Sequence, residues 1–405
     1  MAKTQIGRSC FKFLKRSGKI KNCDDFYNLY IEETKDTIPY TTLEHYFCSC
    51  KSSKYRSPPE RFLIWCKDKL NRDDSDFAQH FTMGEQWLTE PVREFIKLYC
   101  ANGVIDPYAG DLSLRTHLKN MGVKDFIGFD IDEKMLNGDV GYNDSLLSIP
   151  SSKRLLVTNP PYMSKYTATR YGSRFYKYFE NTTLTDVYLI ALEKCLASHD
   201  NVVAIVPETF LINGNFTDRL SLIVVVEENV FGNTSCPVLV ACFQKDKNPK
   251  SKVKIYKNDK FIFTLGELNN KDKFPNKKAK ITFNDQNGNI GLRGIDGKQS
   301  DQIDFCEPEA LKYKKKMKAS SRLISLIDVP GAYGKEKYLV DTCNKILEKY
   351  RKDTHDLLMA PFKGNNKNGK RRRRIDYGTA RAIIEEALRE CTVSKSLFDE
   401  CEFHM

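Results

Sequence analysis

Apolar positions between about residues 100 and 245 gather into short continuous runs separated by polar turns. The runs are Gly103-Val-Ile-Asp106, Phe126-Ile-Gly-Phe-Asp130-Ile131-Asp132, Arg154-Leu-Leu-Val-Thr158, Asn201-Val-Val-Ala-Ile-Val-Pro207, Leu220-Ser-Leu-Ile-Val-Val-Val226 and Val238-Leu-Val-Ala-Cys-Phe243. Runs of this length predict strands buried on both faces. Apolar residues at helical spacing predict helices through Leu114, Leu118 and Met121 and from Thr185 to Ala197. Strand alternating with helix predicts an α/β fold with a mostly parallel sheet of seven strands, six of them the runs above. A turn rather than a helix joins the last two, so they are expected to form an antiparallel hairpin.

The flanks are patterned differently. Residues 1–78 predict a helical, basic extension, with one helix opening at Ser57-Pro58-Pro59-Glu60 and running through Arg61-Phe-Leu-Ile-Trp65. Thr89 is placed to cap a helix that begins near Pro91. Past Gln244, Lys245 to Lys252 is expected to be a linker, followed by short strands at Val253–Tyr256, Phe261–Phe263 and Lys280–Phe283. Asn287-Gly288 predicts a hairpin turn. Helices are expected from Lys335 onward and at Ala380 to Leu388, with Pro361 to Lys370 mobile. The expected division is an extension over 1–78, an α/β domain over 79–246 and an α+β module over 247–405.

Charge then adds a partner. The formal net charge is +12, from 65 Lys and Arg against 53 Asp and Glu, which suits a polyanion or an anionic surface. Lys12, Lys15, Arg16, Lys19 and Lys21 crowd the start, where an arm on a nucleic-acid backbone and a solvated face of a packing extension both stand open. Lys312 to Lys318 and Arg371-Arg372-Arg373-Arg374 are dense basic runs; the arginines suit phosphates, a nuclear-type signal or a solvated loop. The apolar runs are too short for a membrane span, and the first residues lack a signal-peptide core. An intracellular protein is therefore expected, its 13 scattered Cys reduced. Cys48 and Cys50, with His45 and Cys66, are the one metal candidate; the spacing is wrong for zinc and no metal is expected.

Candidate chemistry lies where the strands end. Asp106-Pro107-Tyr108-Ala109-Gly110 is a tight turn between strand and helix, and Asp130 ends the next strand 24 residues after Asp106. Strand, turn, helix and strand ending in an acid is a nucleotide-binding unit, with Asp130 near the offset of a ribose-binding carboxylate. No pyrophosphate-type Gly-x-Gly-x-x-Gly is present, which argues against a dinucleotide. Asn159-Pro160-Pro161-Tyr162 follows the Arg154–Thr158 strand as a stiff turn. It offers an amide oxygen, a fixed carbonyl and an aromatic plate, a set suited to holding a planar amino group and its ring.

That turn resembles motif IV of the N6-adenine DNA methyltransferases, and the order of elements resembles their gamma class, over roughly residues 80 to 245. The resemblance implies S-adenosylmethionine (SAM) as cofactor, double-stranded DNA as partner and the SAM-dependent methyltransferase fold, with a DNA-recognition module at the C-terminal end. It also allows a cognate restriction endonuclease acting on the same site. Thr89-Glu90-Pro91 resembles motif X, Asp106, Pro107, Ala109 and Gly110 motif I, Asp130 and Ile131 motif II, and Asp144 and Ser145 motif III. These residues and Asn159 would bind the cofactor, with Asp144 accepting from its adenine amino group. Asn159, Pro160, Pro161 and Tyr162 would carry catalysis. Val230-Phe231-Gly232 resembles motif VIII, so Phe231 and Tyr162 would hold the flipped base. Lys165, Arg170 and Arg174, in the loop past Tyr162, and Arg371 to Arg374 would meet DNA phosphates. One departure stands out: the family has a second glycine where this chain has Leu112. An RNA adenine methyltransferase, a protein glutamine methyltransferase and a non-catalytic DNA-binding protein on the same scaffold are the alternatives.

Overall fold

The computed structural model describes residues 20–47, 58–72, 82–171, 173–231, 236–271, 279–299, 303–311 and 324–401, with residues 7, 10, 11, 14 and 15 besides. Two compact units result, Met1–Met83 with Leu98–Ala204 and Gly84–Lys97 with Ile205–Met405.

In the first unit, α1 (Cys23–Thr34), α2 (Tyr40–Phe47) and α3 (Glu60–Arg72) lie near the start of the chain. Asn22 begins α1 by accepting from the Asp25 backbone N–H at 2.8 Å, and Lys35 ends it in the left-handed region. Their shared core is aromatic: Phe26 lies 4.5 Å from Phe47 and 5.4 Å from Trp65 between ring centroids. Trp65 Nε1 stays satisfied by donating to Glu33 at 2.8 Å. The basic residues Lys12, Arg16 and Lys19, and Cys48 and Cys50, lie outside the described residues. Among the described residues no three His, Cys, Asp or Glu are grouped to hold a metal.

The helix α4 (Glu90–Tyr99) falls mostly in the second unit; the rest of the first is a parallel sheet. Its strands are β1 (Val104–Asp106), β2 (Phe126–Asp130), β3 (Val140–Tyr142), β4 (Leu155–Thr158) and β5 (Val202–Pro207), in the order β3-β2-β1-β4-β5. Every pairing is parallel, with Val104 beside both Phe126 and Leu155 and Leu156 beside Val202. β1 and β4 are buried along their whole length, as their unbroken apolar runs require. Helix α5 (Ser113–Asn120) connects β1 to β2. Helices α6 (Lys165–Tyr171) and α7 (Val187–Ser198) lie between β4 and β5. The chain runs outward from β1 to β3, then returns to β4 on the other side of β1. Ligands of open α/β sheets bind at this reversal, beyond the strands' carboxyl ends.

In the second unit, α8 (Phe210–Asn213) precedes β6 (Leu220–Val225) and β7 (Val238–Phe243), which pair antiparallel as expected. The next two strands depart from expectation. β8 (Lys254–Lys257) runs parallel to β6 and β9 (Lys260–Thr264) antiparallel to β8, giving the order β7-β6-β8-β9. They extend the β6 and β7 ladder instead of opening a separate module. The expected linker is correspondingly tied down, Asn248 donating to the Leu220 carbonyl at 3.0 Å.

Beyond α9 (Leu265–Lys271), strands β10 (Thr282–Phe283), β11 (Ile290–Arg293), β12 (Asp304–Cys306) and β13 (Ile324–Asp328) form an antiparallel sheet ordered β10-β13-β11-β12. Asn287-Gly288 does turn the chain, but β13 lies between β10 and β11, so the turn closes no hairpin. Helix α10 (Glu336–Asp353) and the long α11 (Tyr377–Cys401) cover this sheet through a core that includes Leu339, Leu347, Ile383, Ile290 and Phe305. β14 (Ala360–Asn365) and β15 (Arg371–Arg374) pair antiparallel, so the segment expected to be mobile forms a hairpin. Among the described residues no helix is long and apolar enough to cross a membrane.

Candidate active site

A cavity of ≈ 840 Å³, its open mouth included, lies at the carboxyl ends of β1 to β4. Asp106 ends β1 with 1% of its surface exposed. Its Oδ1 accepts from the Tyr108 backbone N–H at 3.0 Å and from the Thr158 hydroxyl, on β4, at 2.7 Å. Burial pushes the carboxyl up to about 7; these hydrogen bonds oppose the rise, and the charges of Asp130 and Asp111 add to it.

The turn after β1 is held against β2. Ala109 N–H donates to the Phe129 carbonyl at 2.8 Å and Gly110 N–H to Asp130 Oδ2 at 2.9 Å. Gly128 permits the approach, since a Cβ there would stand 2.9 Å from that of Ala109. Gly110 has φ 49, and Leu112, immediately before α5, has φ 63 and ψ 21. Leu112 thus takes up the left-handed backbone that a glycine would adopt freely, at a cost of about 1 kcal/mol.

Asp130 also accepts from Asp132 N–H at 2.8 Å, and burial raises its carboxyl. Beyond β3, the Asn143 side chain donates to Ser145 Oγ and to the Ser148 carbonyl, both at 2.8 Å, fixing the bend that carries Asp144. Asp144 Oδ2 accepts from the Tyr178 hydroxyl at 2.8 Å and lies 3.8 Å from Lys177 Nζ. Asp144 Oδ1 is buried and has no hydrogen-bond donor. At the end of β4, Asn159 Nδ2 donates to Thr82 Oγ1 at 3.1 Å, while Asn159 Oδ1 accepts from the Tyr162 hydroxyl at 2.6 Å.

Asp106, Pro107, Ala109, Gly110, Asp130, Ile131, Asp144, Ser145, Asn159 and Pro161 all line this one cavity. Pro160 and Tyr162 do not. Tyr162 is 8% exposed, edge-on to Tyr188 with centroids 6.3 Å apart, so it presents no open stacking face. Thr89, Glu90 and Pro91 are not among the lining residues either. Nor does Thr89 cap α4: its hydroxyl is buried without a partner, and Asp259 receives the Glu90 N–H at 2.7 Å instead. Phe231 is buried, its backbone tied to the Asn229 side chain, and Gly232 to Ser235 lie outside the described residues.

Of the basic residues, Lys165 donates to the Phe179 carbonyl at 3.4 Å, Arg170 is exposed on α6, and Arg174 lines the cavity, 5.5 Å from the Phe175 ring. The arginine run is a strand, not a solvated loop. Arg373 is 4% exposed and donates to Glu208 at 2.6 Å; Arg371 donates to the Val226 and Glu227 carbonyls. Arg372 donates to the Asp296 carbonyl at 2.9 Å and covers Phe362, and Arg374 bridges to Ile295. Sequence reasoning missed Thr82, Asn143, Phe175 and Tyr178 as parts of the site. The aromatic and basic stretch Arg174-Phe-Tyr-Lys-Tyr-Phe179 was the one available signal for the last two.

No protein-family model matches the chain, and no curated protein does. Solved structures with partial likeness include three. A type I restriction-modification methyltransferase subunit from Streptococcus thermophilus is 14% identical, with TM-score 0.30, over 64% of this chain and 71% of that one. The EcoKI M protein is 11% identical, with TM-score 0.31, over 63% and 64%. The type IIG restriction endonuclease BpuSI is 12% identical, with TM-score 0.34, over 53% and 33%. At scores this low the likeness decides nothing about function, and the residues of the cavity bear that weight.

Proposed function

We propose that the protein is a SAM-dependent DNA methyltransferase acting on the exocyclic N6 of an adenine flipped out of a short duplex sequence. One observation carries this: Asp106, Asp130, Asp144 and Asn159, at or just past the carboxyl ends of four parallel strands, converge on one cavity. The donor set fits SAM. Asp144 Oδ1 is a buried acceptor in want of an N–H, as an adenine amino group provides. Asp130 accepts from the Gly110 and Asp132 N–H groups and, with about four acceptor sites on a carboxylate, has room for ribose hydroxyls. Asp106, once ionised, suits the ammonium of the methionine part.

When bound, this cofactor supplies a methyl group on a positively charged sulfur that an amine nitrogen can take up. The chain's own task is alignment. Asn159 Oδ1, which accepts from the Tyr162 hydroxyl in this structure, would with the Pro160 carbonyl accept the two N6 hydrogens. Two fixed acceptors direct the nitrogen lone pair and stabilise the positive charge that develops on it. The surplus proton then leaves to solvent. Flipping the base costs a few kcal/mol. Tyr162 is the aromatic residue we assign to offset it; turning outward would release its hydroxyl from Asn159 Oδ1. Lys165, Arg170 and Arg174 are assigned to phosphates; Arg373, being buried, is removed from that role.

The test is incubation of the protein with methyl-labelled SAM and, separately, unmethylated duplex DNA, RNA and protein extract. Label recovered as N6-methyladenine from DNA is the expected result. Label in RNA or protein would move the substrate to that class, and absence of both transfer and calorimetric SAM binding would overturn the proposal.

A further inference from the structure

The segment between β4 and β5 carries a short 3-10 turn, Arg174–Phe179, which starts where Ser173 Oγ accepts from the Phe175 N–H at 3.2 Å. Phe175 and Phe179 are buried with Leu146, Met163, Val187 and Ile190, and this anchoring sets Tyr178 on the cavity wall. Tyr178 and Lys177 both approach the same oxygen of Asp144, at 2.8 and 3.8 Å. Both are donors: burial and the Asp144 carboxylate push the Tyr178 phenol up, so it keeps its proton. A carboxylate pinned at Oδ2 cannot rotate to shield Oδ1, which stays buried and undonated.

We propose that Tyr178 is a positioning residue that orients Asp144 so that the cavity selects a 6-amino purine and rejects a 6-oxo purine. The inference rests on the cofactor proposed above. An amino group meets Oδ1 with the missing N–H. A carbonyl would bring a second acceptor against it, leaving two buried lone-pair groups without a hydrogen between them.

The experiment compares S-adenosylhomocysteine with S-inosylhomocysteine by calorimetry, so no turnover is needed. The natural protein should prefer the adenosyl ligand by on the order of 100-fold. Tyr178→Phe keeps the ring in its apolar setting, and the preference should fall to about tenfold or less, mainly through weaker adenosyl binding. Asp144→Asn is the second variant. With two donors at the Oδ2 place, the amide oxygen must sit there and its NH₂ must take the Oδ1 place, so the preference should invert. In the Asp144→Asn/Tyr178→Phe pair only the more distant Lys177 is left at that place, 3.8 Å away, so the inversion should weaken to within about threefold of no preference. An unchanged preference in Tyr178→Phe overturns the inference, as does an Asp144→Asn variant that still favours the adenosyl ligand. Equal binding of both ligands by the natural protein overturns it alone. Binding of neither overturns the cofactor proposal and takes the inference with it. If Tyr178→Phe does not fold, inversion or its absence in Asp144→Asn decides.

Discussion

In the unfolded chain Asp106 would ionise near its ordinary 3.8, whereas burial in the folded protein raises it to about 7. Between those values the folded protein holds a proton that the unfolded chain has lost. The group's contribution to stability is therefore fully present below about pH 4, falls as pH rises, and levels off above about 7. Each tenfold change in acidity corresponds to about 1.4 kcal/mol, so the interval is worth on the order of 4 kcal/mol. A ligand ammonium reverses the preference, because it favours the charged carboxylate. SAM affinity should thus climb through about pH 7, by at most about tenfold per pH step. It should fall again above about 8, where an α-amino group sheds its proton. Calorimetry at pH 6, 7 and 8, beside denaturant unfolding from pH 4 to 8, measures both limbs. Asp130 is raised in the same direction, so the comparison with Asp106→Asn isolates the Asp106 part. That variant should flatten the stability profile and bind SAM about 10- to 100-fold more weakly, without the rising limb. SAM affinity that stays constant from pH 6 to 8 in the natural protein would refute the placing of the ammonium at Asp106.

Three further outcomes are expected. Asn159→Ala should lose about 3 kcal/mol of barrier lowering while SAM binding changes only severalfold, and turnover within twofold of the natural protein would remove the turn from catalysis. Arg373→Ala leaves Glu208 buried, with 1% of its side chain exposed, and should cost about 3 kcal/mol, at the lower end because Arg371 stays 3.8 Å from the carboxylate. A denaturant midpoint equivalent to less than about 1 kcal/mol would contradict that burial. Leu112→Gly relieves the left-handed backbone but loosens the unfolded chain, so the two effects should cancel to within about 1 kcal/mol, checked by unfolding at equilibrium.

The strands β4 to β7 were legible because a strand buried on both faces is a continuous apolar run. β3 was not: it has three residues, and of these only Val140 is buried, so no period exists to detect. The strand character of β8 was visible, but its parallel alignment with β6 is a long-range choice that local pattern does not encode. Asn287-Gly288 reads as a hairpin turn because turn chemistry is local, whereas β13, which enters between the flanking strands, comes much later in the chain. Of the residues that line the cavity, Asp106, Gly110, Asp130 and Asn159 were legible because each sits at or shortly after a strand end, whereas Asp144, which follows the undetected β3, was named only through its resemblance to motif III. Thr82 and Tyr178 reach the cavity from segments without that marker. Arg373 shows the opposite failure: four successive cations suggest solvent, yet the third turns inward along a strand to meet Glu208.

The bond from Glu90 to Asp259 spans 169 positions of the chain, and both ends belong to the second unit. During synthesis at about 5–20 residues per second, α4 leaves the ribosome roughly ten to thirty seconds before its cap exists. Through that interval Val92, Phe95 and Ile96, all buried in the finished protein, have no second unit to enter. The early segment must wait for the late one, so this unit cannot mature in the order in which it is made. Translation speed and chaperone supply, rather than final stability alone, would then set how much nascent chain reaches the native state.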